Sequence, residues 1–116
     1  KESSYDRIDS IDDESFRPDF AMLVYPWRMY DQSTDGLLKQ IKVTDKTPPS
    51  FIIHTHDDAS TSLGSVLLYA DLKRAGVPAE LHVYENGGHG YGTRDRPGSN
   101  IGTWTDRATD WLKRRL

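Results

Sequence analysis

No cysteine occurs in the 116 residues, which removes disulfides, thiolate metal sites and a cysteine nucleophile together. That absence does not fix the compartment. No apolar run approaches the ~20 residues that a membrane-spanning helix needs, and no signal peptide is visible. Positive charge is also scarce: 15 basic against 18 acidic residues give a net −3, which argues against a general nucleic-acid binder.

Aromatic residues are what the chain does have. Three Trp, six Tyr and three Phe are too many for a disordered chain. At this length the sequence is one domain or a piece of one, burying about 65% of its unfolded surface. Charge is uneven. Residues 1–19 hold seven acids against three bases, while Lys113, Arg114 and Arg115 close the chain. Both clusters read as solvated surface. Residues 1–16 form an acidic N-terminal segment, distinct from a folded unit over 17–116. The opening on Lys1 rather than Met is expected of a chain whose true beginning has been removed.

The hydrophobic pattern alternates in type. Phe20 to Val24 is continuously apolar and is followed by Tyr25 and Pro26, which reads as a strand covered on both faces. Phe51, Ile52 and Ile53 repeat that pattern after Pro48 and Pro49. The stretch AELHVYE is a third strand, with Leu81 and Val83 alternating against His82 and Tyr84. Between the last two strands, Leu63, Val66, Leu67 and Ala70 share one helical face. Ser60, Thr61 or Ser62 can cap its start, Lys73 and Arg74 suit its end, and Gly76 with Pro78 stops it. Trp104, Ala108, Trp111, Leu112 and Arg115 mark a second amphipathic helix. GLLKQIKV, from Gly36 to Val43, is predicted as a short crossover helix. Strands alternating with helices imply an α/β fold of about three parallel strands with flanking helices.

The second strand runs into FIIHTHDDAS, where two chemistries compete. His54, His56 and Asp58 match the first three ligand positions of H-x-H-x-D-H, a spacing suited to zinc. The fourth position of that pattern is Ala59, and only His82 and His89 remain to complete a shell. The plainer alternative for His54, His56 and His82 is a packed ring donating one hydrogen bond. The other chemistry pairs a carboxylate with an imidazole. Asp57 stands just past the second strand, and His89, in NGGHGYG, just past the third. In open α/β sheets chemistry gathers outside the carboxyl ends of strands, so these two side chains can meet there. A carboxylate accepting the Nδ1–H of such a ring fixes its tautomer and stabilises the imidazolium.

The order and spacing of PPSFIIHTHDDAS, LYADLKRAGVPAELHVYE and NGGHGYG closely resemble the C-terminal part of α/β-hydrolase fold esterases. The acetyl-xylan-esterase-like and feruloyl-esterase-like group is the most similar, with prolyl-oligopeptidase-type peptidases more distant. The resemblance spans about residues 17–116. It implies that the three strands are the sixth, seventh and eighth of that fold, that Asp57 is the triad acid, and that His89 is the general base. Asp58 would then shape the turn. The sequence departs from the family at Ser60, where an apolar residue is usual.

That family places its nucleophile in a G-x-S-x-G elbow upstream of the sixth strand. No such motif occurs here. Ser65 lies within a predicted helix, Ser99 follows His89, and Ser33 lacks flanking glycines. The resemblance therefore implies the C-terminal portion of a serine esterase that supplies acid and histidine but not the nucleophile, and is inactive alone. An ester substrate is implied, with acylated carbohydrate as one class, and no cofactor, nucleic-acid partner or membrane. A secreted or periplasmic location is compatible with the resemblance. Tyr25, Trp27, Arg28 and Tyr91 are candidate pocket residues. An unpaired strand edge from Phe20 to Val24 would pair with the missing half or with a second copy. Two other readings stay open: a non-catalytic half-hydrolase acting in binding or assembly, and a metal-dependent hydrolase using His54, His56 and Asp58.

Overall fold

The computed structural model describes residues 19–116, so the acidic segment 1–16 lies outside it. In chain order the elements are β1 (Ala21–Val24), β2 (Tyr30–Asp31), β3 (Gly36–Leu37), β4 (Ser50–Thr55), α1 (Leu63–Arg74), β5 (Ala79–Tyr84), a 3-10 turn (Ile101–Thr103) and α2 (Trp104–Arg115). Three of the strands form one parallel sheet in the order β1-β4-β5. β4 is central and every one of its residues is buried, as its unbroken apolar run requires.

Alternation along β4 divides the core. Ile52 faces α1 and packs with Met29, Ile41, Leu68, Leu72 and Val77. Phe51 and Ile53 face the other way, onto Tyr91, Ile101, Trp104, Ala108 and Trp111. Each such side chain contributes about 1.5–3 kcal/mol when fully buried. On the α2 side, the rings of Phe20 and Phe51 lie 5.6 and 5.7 Å from that of Trp111, and the Arg115 guanidinium sits 4.7 Å over it. The spacing Trp104, Ala108, Trp111 is thus the buried stripe of α2, as the sequence predicts.

Helix α1 forms where expected, but with a different face inward. Gly64, Ser65, Leu68 and Leu72 are buried, while Leu63 and Val66 are exposed. The physical reason is close approach. A Cβ at Gly64 would lie 3.0 Å from the Met29 Cβ and 3.3 Å from the Tyr30 backbone nitrogen, so a larger residue would push the helix and residues 29–30 apart by a few tenths of an ångström. Ser65 is drawn in by a hydrogen bond to His54 at 2.7 Å. Polar pairing and a missing side chain outweigh two aliphatic residues.

The crossover helix predicted from Gly36 to Val43 does not form. Residues 30–37 make a short antiparallel ribbon instead, β2 against β3. Asp31 accepts from the backbone N–H and hydroxyl of Ser33 at 2.9 and 2.7 Å, which stabilises the reversal. The Leu38 N–H then bonds the Met29 carbonyl at 2.9 Å and lengthens the ribbon. Leu37, Leu38, Ile41 and Val43 still reach the α1 core, so the same apolar residues are buried without helical backbone.

Candidate active site

Three chain segments leave the sheet at its carboxyl end: residue 25 after β1, residues 56–58 after β4, and residues 85–91 after β5. Parallel pairing brings all three to one edge of the molecule. The loop after β5 is pinned there by Thr55, whose hydroxyl donates to the Gly88 carbonyl at 2.6 Å. Arg96 and Arg94 hold the same loop through the carbonyls of His89 and Gly90, at 3.3 and 2.7 Å.

His89 meets a carboxylate, but not the one expected. Its Nδ1 donates to Asp58 Oδ2 at 2.6 Å. Asp57 instead accepts the backbone N–H of Gly88 at 2.8 Å and of Gly87 at 3.3 Å. The turn after β4 explains the exchange. The His56 N–H still pairs with the Tyr84 carbonyl, and the Asp58 N–H closes back on the Thr55 carbonyl. Asp57 is thereby left on the outside of the turn, facing the glycine loop, while Asp58 swings inward. The two acids divide the labour: one fastens the loop backbone, the other fastens the ring. The Gly88 N–H, then that of Gly87, hold the Asp57 carboxyl below the usual carboxylate range.

The Asp58 side chain is fully buried and multiply bonded. Oδ1 accepts the Ser60 N–H at 2.8 Å, and Oδ2 lies 3.3 Å from His54 Nε2 as well as 2.6 Å from His89. Ser60, the departure from the family pattern, uses its hydroxyl to reach the Pro26 carbonyl at 3.3 Å. His89 keeps about a third of its side chain exposed. Among the described residues its Nε2 makes no hydrogen bond. An imidazole with one nitrogen tied to a buried carboxylate and the other free can accept a proton and return it.

Two aromatic rings flank His89. Tyr25 lies 4.4 Å away and Trp27 5.1 Å, both edge-on. Tyr25 occupies a left-handed backbone conformation (φ 39), which costs a non-glycine residue of order 1–3 kcal/mol. The strain is what turns its ring back over the carboxyl end of the sheet. Trp27 is half-exposed and, with Arg28, Ser60 and Thr61, lines a small cleft of about 190 Å³. Tyr91 is not a pocket residue. It is fully buried beneath Tyr25, with ring centroids 4.8 Å apart, and its hydroxyl has no hydrogen-bond partner among the described residues. Burial, with the Asp58 charge, pushes its phenol well up.

The zinc arrangement does not assemble. Both nitrogens of His54 are engaged, Nδ1 by Ser65 and Nε2 by the Ser60 carbonyl at 2.7 Å. His56 is exposed on the turn, and His82 pairs with Glu80 at 2.6 Å on β5. Among the described residues no three His, Asp or Glu side chains are placed to hold a metal ion. No described helix is long and apolar enough to cross a membrane.

Burial pushes the His54 imidazole below its ordinary value of 6.5, against the opposing pull of the Ser60 carbonyl and Asp58. In the unfolded chain the ring titrates normally. Above pH 6.5 both states are neutral and nothing is lost. Below it the unfolded chain binds a proton that the folded one refuses, so stability falls as pH falls, by up to about 1.4 kcal/mol per pH unit. Urea midpoints compared between pH 7.5 and 5.5 check this. The acid-side loss should shrink in His54→Gln, and an unchanged slope in that variant would contradict it.

The prolyl oligopeptidase family profile matches residues 6–116. No curated protein matches the chain at a significant level. Solved structures do. An acetyl ester-xyloside bifunctional hydrolase from Caldicellulosiruptor lactoaceticus is 29% identical with a TM-score of 0.70, over 84% of this chain and 42% of that one. A sugar hydrolase from Lactococcus lactis is 30% identical with a TM-score of 0.68, over 85% and 49%. An alpha/beta hydrolase from a Medee basin deep-sea metagenome library is 23% identical and supports the fold alone, with a TM-score of 0.76 over 93% and 48%. The chain spans less than half the length of each of these structures. A parallel β1-β4-β5 sheet between two helices, the shared fold and a profile covering nearly every residue together make this chain a member of the prolyl oligopeptidase family, with the architecture of an α/β hydrolase.

Proposed function

We propose that this chain is the acid–base part of a serine hydrolase acting on acyl esters, with Asp58 as the acid and His89 as the general base. The 2.6 Å bond between His89 Nδ1 and Asp58 Oδ2, with Nε2 making no hydrogen bond among the described residues, is the observation that carries the reading. It supports Asp58, in place of Asp57, as the partner of His89. Residues 17–116 are then the C-terminal portion of an α/β-hydrolase domain whose nucleophilic serine comes from outside this sequence. The outer edge of β1 is where the preceding strand of that fold would pair.

In this mechanism the serine hydroxyl attacks the ester carbonyl carbon while Nε2 of His89 takes its proton. The imidazolium is stabilised by the Asp58 carboxylate and gives the proton to the departing alcohol oxygen. A water molecule then repeats the sequence on the acyl-enzyme. Trp27, which lines the cleft and lies edge-on to His89, offers aromatic surface to the ester, which suits a sugar or aryl group. The relative described as an acetyl ester-xyloside hydrolase supports an acylated carbohydrate as the substrate class.

The test uses the protein in which this chain is joined to its nucleophile-bearing segment. Hydrolysis of 4-nitrophenyl acetate is expected, with His89→Ala lowering kcat by about 10⁴-fold or more and leaving the circular dichroism unchanged. Full activity in His89→Ala would overturn the reading. No turnover by the joined protein would favour the non-catalytic assembly domain.

A further inference from the structure

Two nitrogens of one buried ring explain how Asp58 is held still. His54 is the penultimate residue of β4, on the face that Ile52 shares, and its side chain is fully buried. The Ser60 carbonyl, 2.7 Å from Nε2, can only accept, so Nε2 must carry a hydrogen. Ser65 Oγ, 2.7 Å from Nδ1, can then donate, and a neutral ring uses Nδ1 as the acceptor. The Ser60 carbonyl therefore sets the tautomer, and the Ser65 hydroxyl, which can donate or accept, accommodates it. The Nε2–H bonds the Ser60 carbonyl, and Asp58 Oδ2, the oxygen that also binds His89, lies 3.3 Å from the same nitrogen.

We propose that His54 is a positioning residue for the Asp58–His89 pair: a neutral imidazole, locked from α1 by Ser65, whose Nε2–H keeps the Asp58 carboxylate in line with His89. The inference rests on the acid–base reading above. Asp58 sits on a turn, and a carboxylate held at one oxygen alone can rotate about its side-chain bonds. The Ser60 N–H fixes Oδ1 and His54 restrains Oδ2, so both oxygens are committed before His89 is charged. Neutrality matters as much as geometry. A second cation at this place would compete with the His89 imidazolium for a single negative charge. Asp58 and His89 are the titratable groups that act on the ring, and no lysine or arginine bonds to it among the described residues. Burial favours the uncharged form. A packed core histidine would also need partners for both nitrogens; what sets this one apart is that its Nε2 lies 3.3 Å from Asp58 Oδ2, the oxygen that binds His89. Ser65, buried on the inward face of α1, makes no other side-chain hydrogen bond among the described residues.

The experiment is long-range proton–nitrogen NMR of the imidazoles in the ¹⁵N-labelled chain, with kcat and KM from the joined protein. At pH 7 the wild type should show His54 neutral with Nε2 protonated, and a far-downfield Nδ1–H on His89. In His54→Phe that His89 resonance should move upfield or vanish, with kcat down on the order of 10–100-fold and KM little changed. His54→Gln, whose amide can donate from near the Nε2 position, should restore most of both. An imidazolium or an Nδ1–H tautomer at His54 in the wild type overturns the inference, even if His54→Phe fails to fold. So does a normal His89 resonance in His54→Phe when Asp58→Asn removes it. If the resonance survives Asp58→Asn, the acid–base reading itself has failed.

Discussion

Asn at position 58 should lower kcat for ester hydrolysis by about 10⁴-fold, whereas Asn at position 57 should lower it by less than about tenfold. The two side chains are neighbours in sequence and identical in chemistry, so only their placement separates them. Asp58→Asn preserves shape and removes the charge beneath His89. Its amide can also donate to Nδ1, which forces the hydrogen onto Nε2 and leaves the ring unable to act as a base. Asp57→Asn keeps an oxygen that can accept from Gly88, whose N–H lies 2.8 Å from Oδ1 in the wild type. It weakens the loop anchor without touching the ring. Steady-state kinetics on both variants, with thermal melts beside them, decide the matter. The opposite ranking would return the acid role to Asp57.

Gly87→Ala should be the most damaging single methyl in the His89 loop. A Cβ there would lie 2.9 Å from the Ile101 Cβ and 3.1 Å from Thr55 Cγ2, at a φ of +136 that L side chains rarely adopt. Backbone strain of ~1–3 kcal/mol adds to overpacking of ~1–3 kcal/mol, for a loss of about 2–6 kcal/mol. Gly90→Ala is the control. Its φ is +73 with open space around it, so only the left-handed penalty of ~1–2 kcal/mol applies. Urea unfolding of the two variants should show that gap. Equal losses would mean that Gly87 does not sit between β4 and the 3-10 turn.

Much of the fold was legible because its signals are local. The apolar run Phe51, Ile52, Ile53 after two prolines specifies a buried strand without knowledge of its neighbours. The period of Trp104, Ala108 and Trp111 specifies the inward face of α2 in the same way. Two readings failed where a distant partner intervened. On α1, the approach of Met29 and Tyr30 to Gly64 turned the helix so that Leu63 and Val66 face outward. From Gly36 onward, where apolar spacing suggested a helix, pairing of Gly36 and Leu37 with Asp31 and Tyr30 and the bond from Leu38 N–H to the Met29 carbonyl drew the chain into a ribbon.

The amino-acid sequence by itself determined that strands and helices alternate, and that a histidine and two acids emerge at strand ends. Both follow from periodicity and from glycine and proline punctuation, which act over a few residues. Tertiary structure alone decided which acid meets His89. Asp57 and Asp58 are equivalent until the turn closing on Thr55, and the glycine backbone across from it, give one an outward and the other an inward direction. Hydrogen bonds spanning some thirty residues made that choice, and no local pattern encodes them.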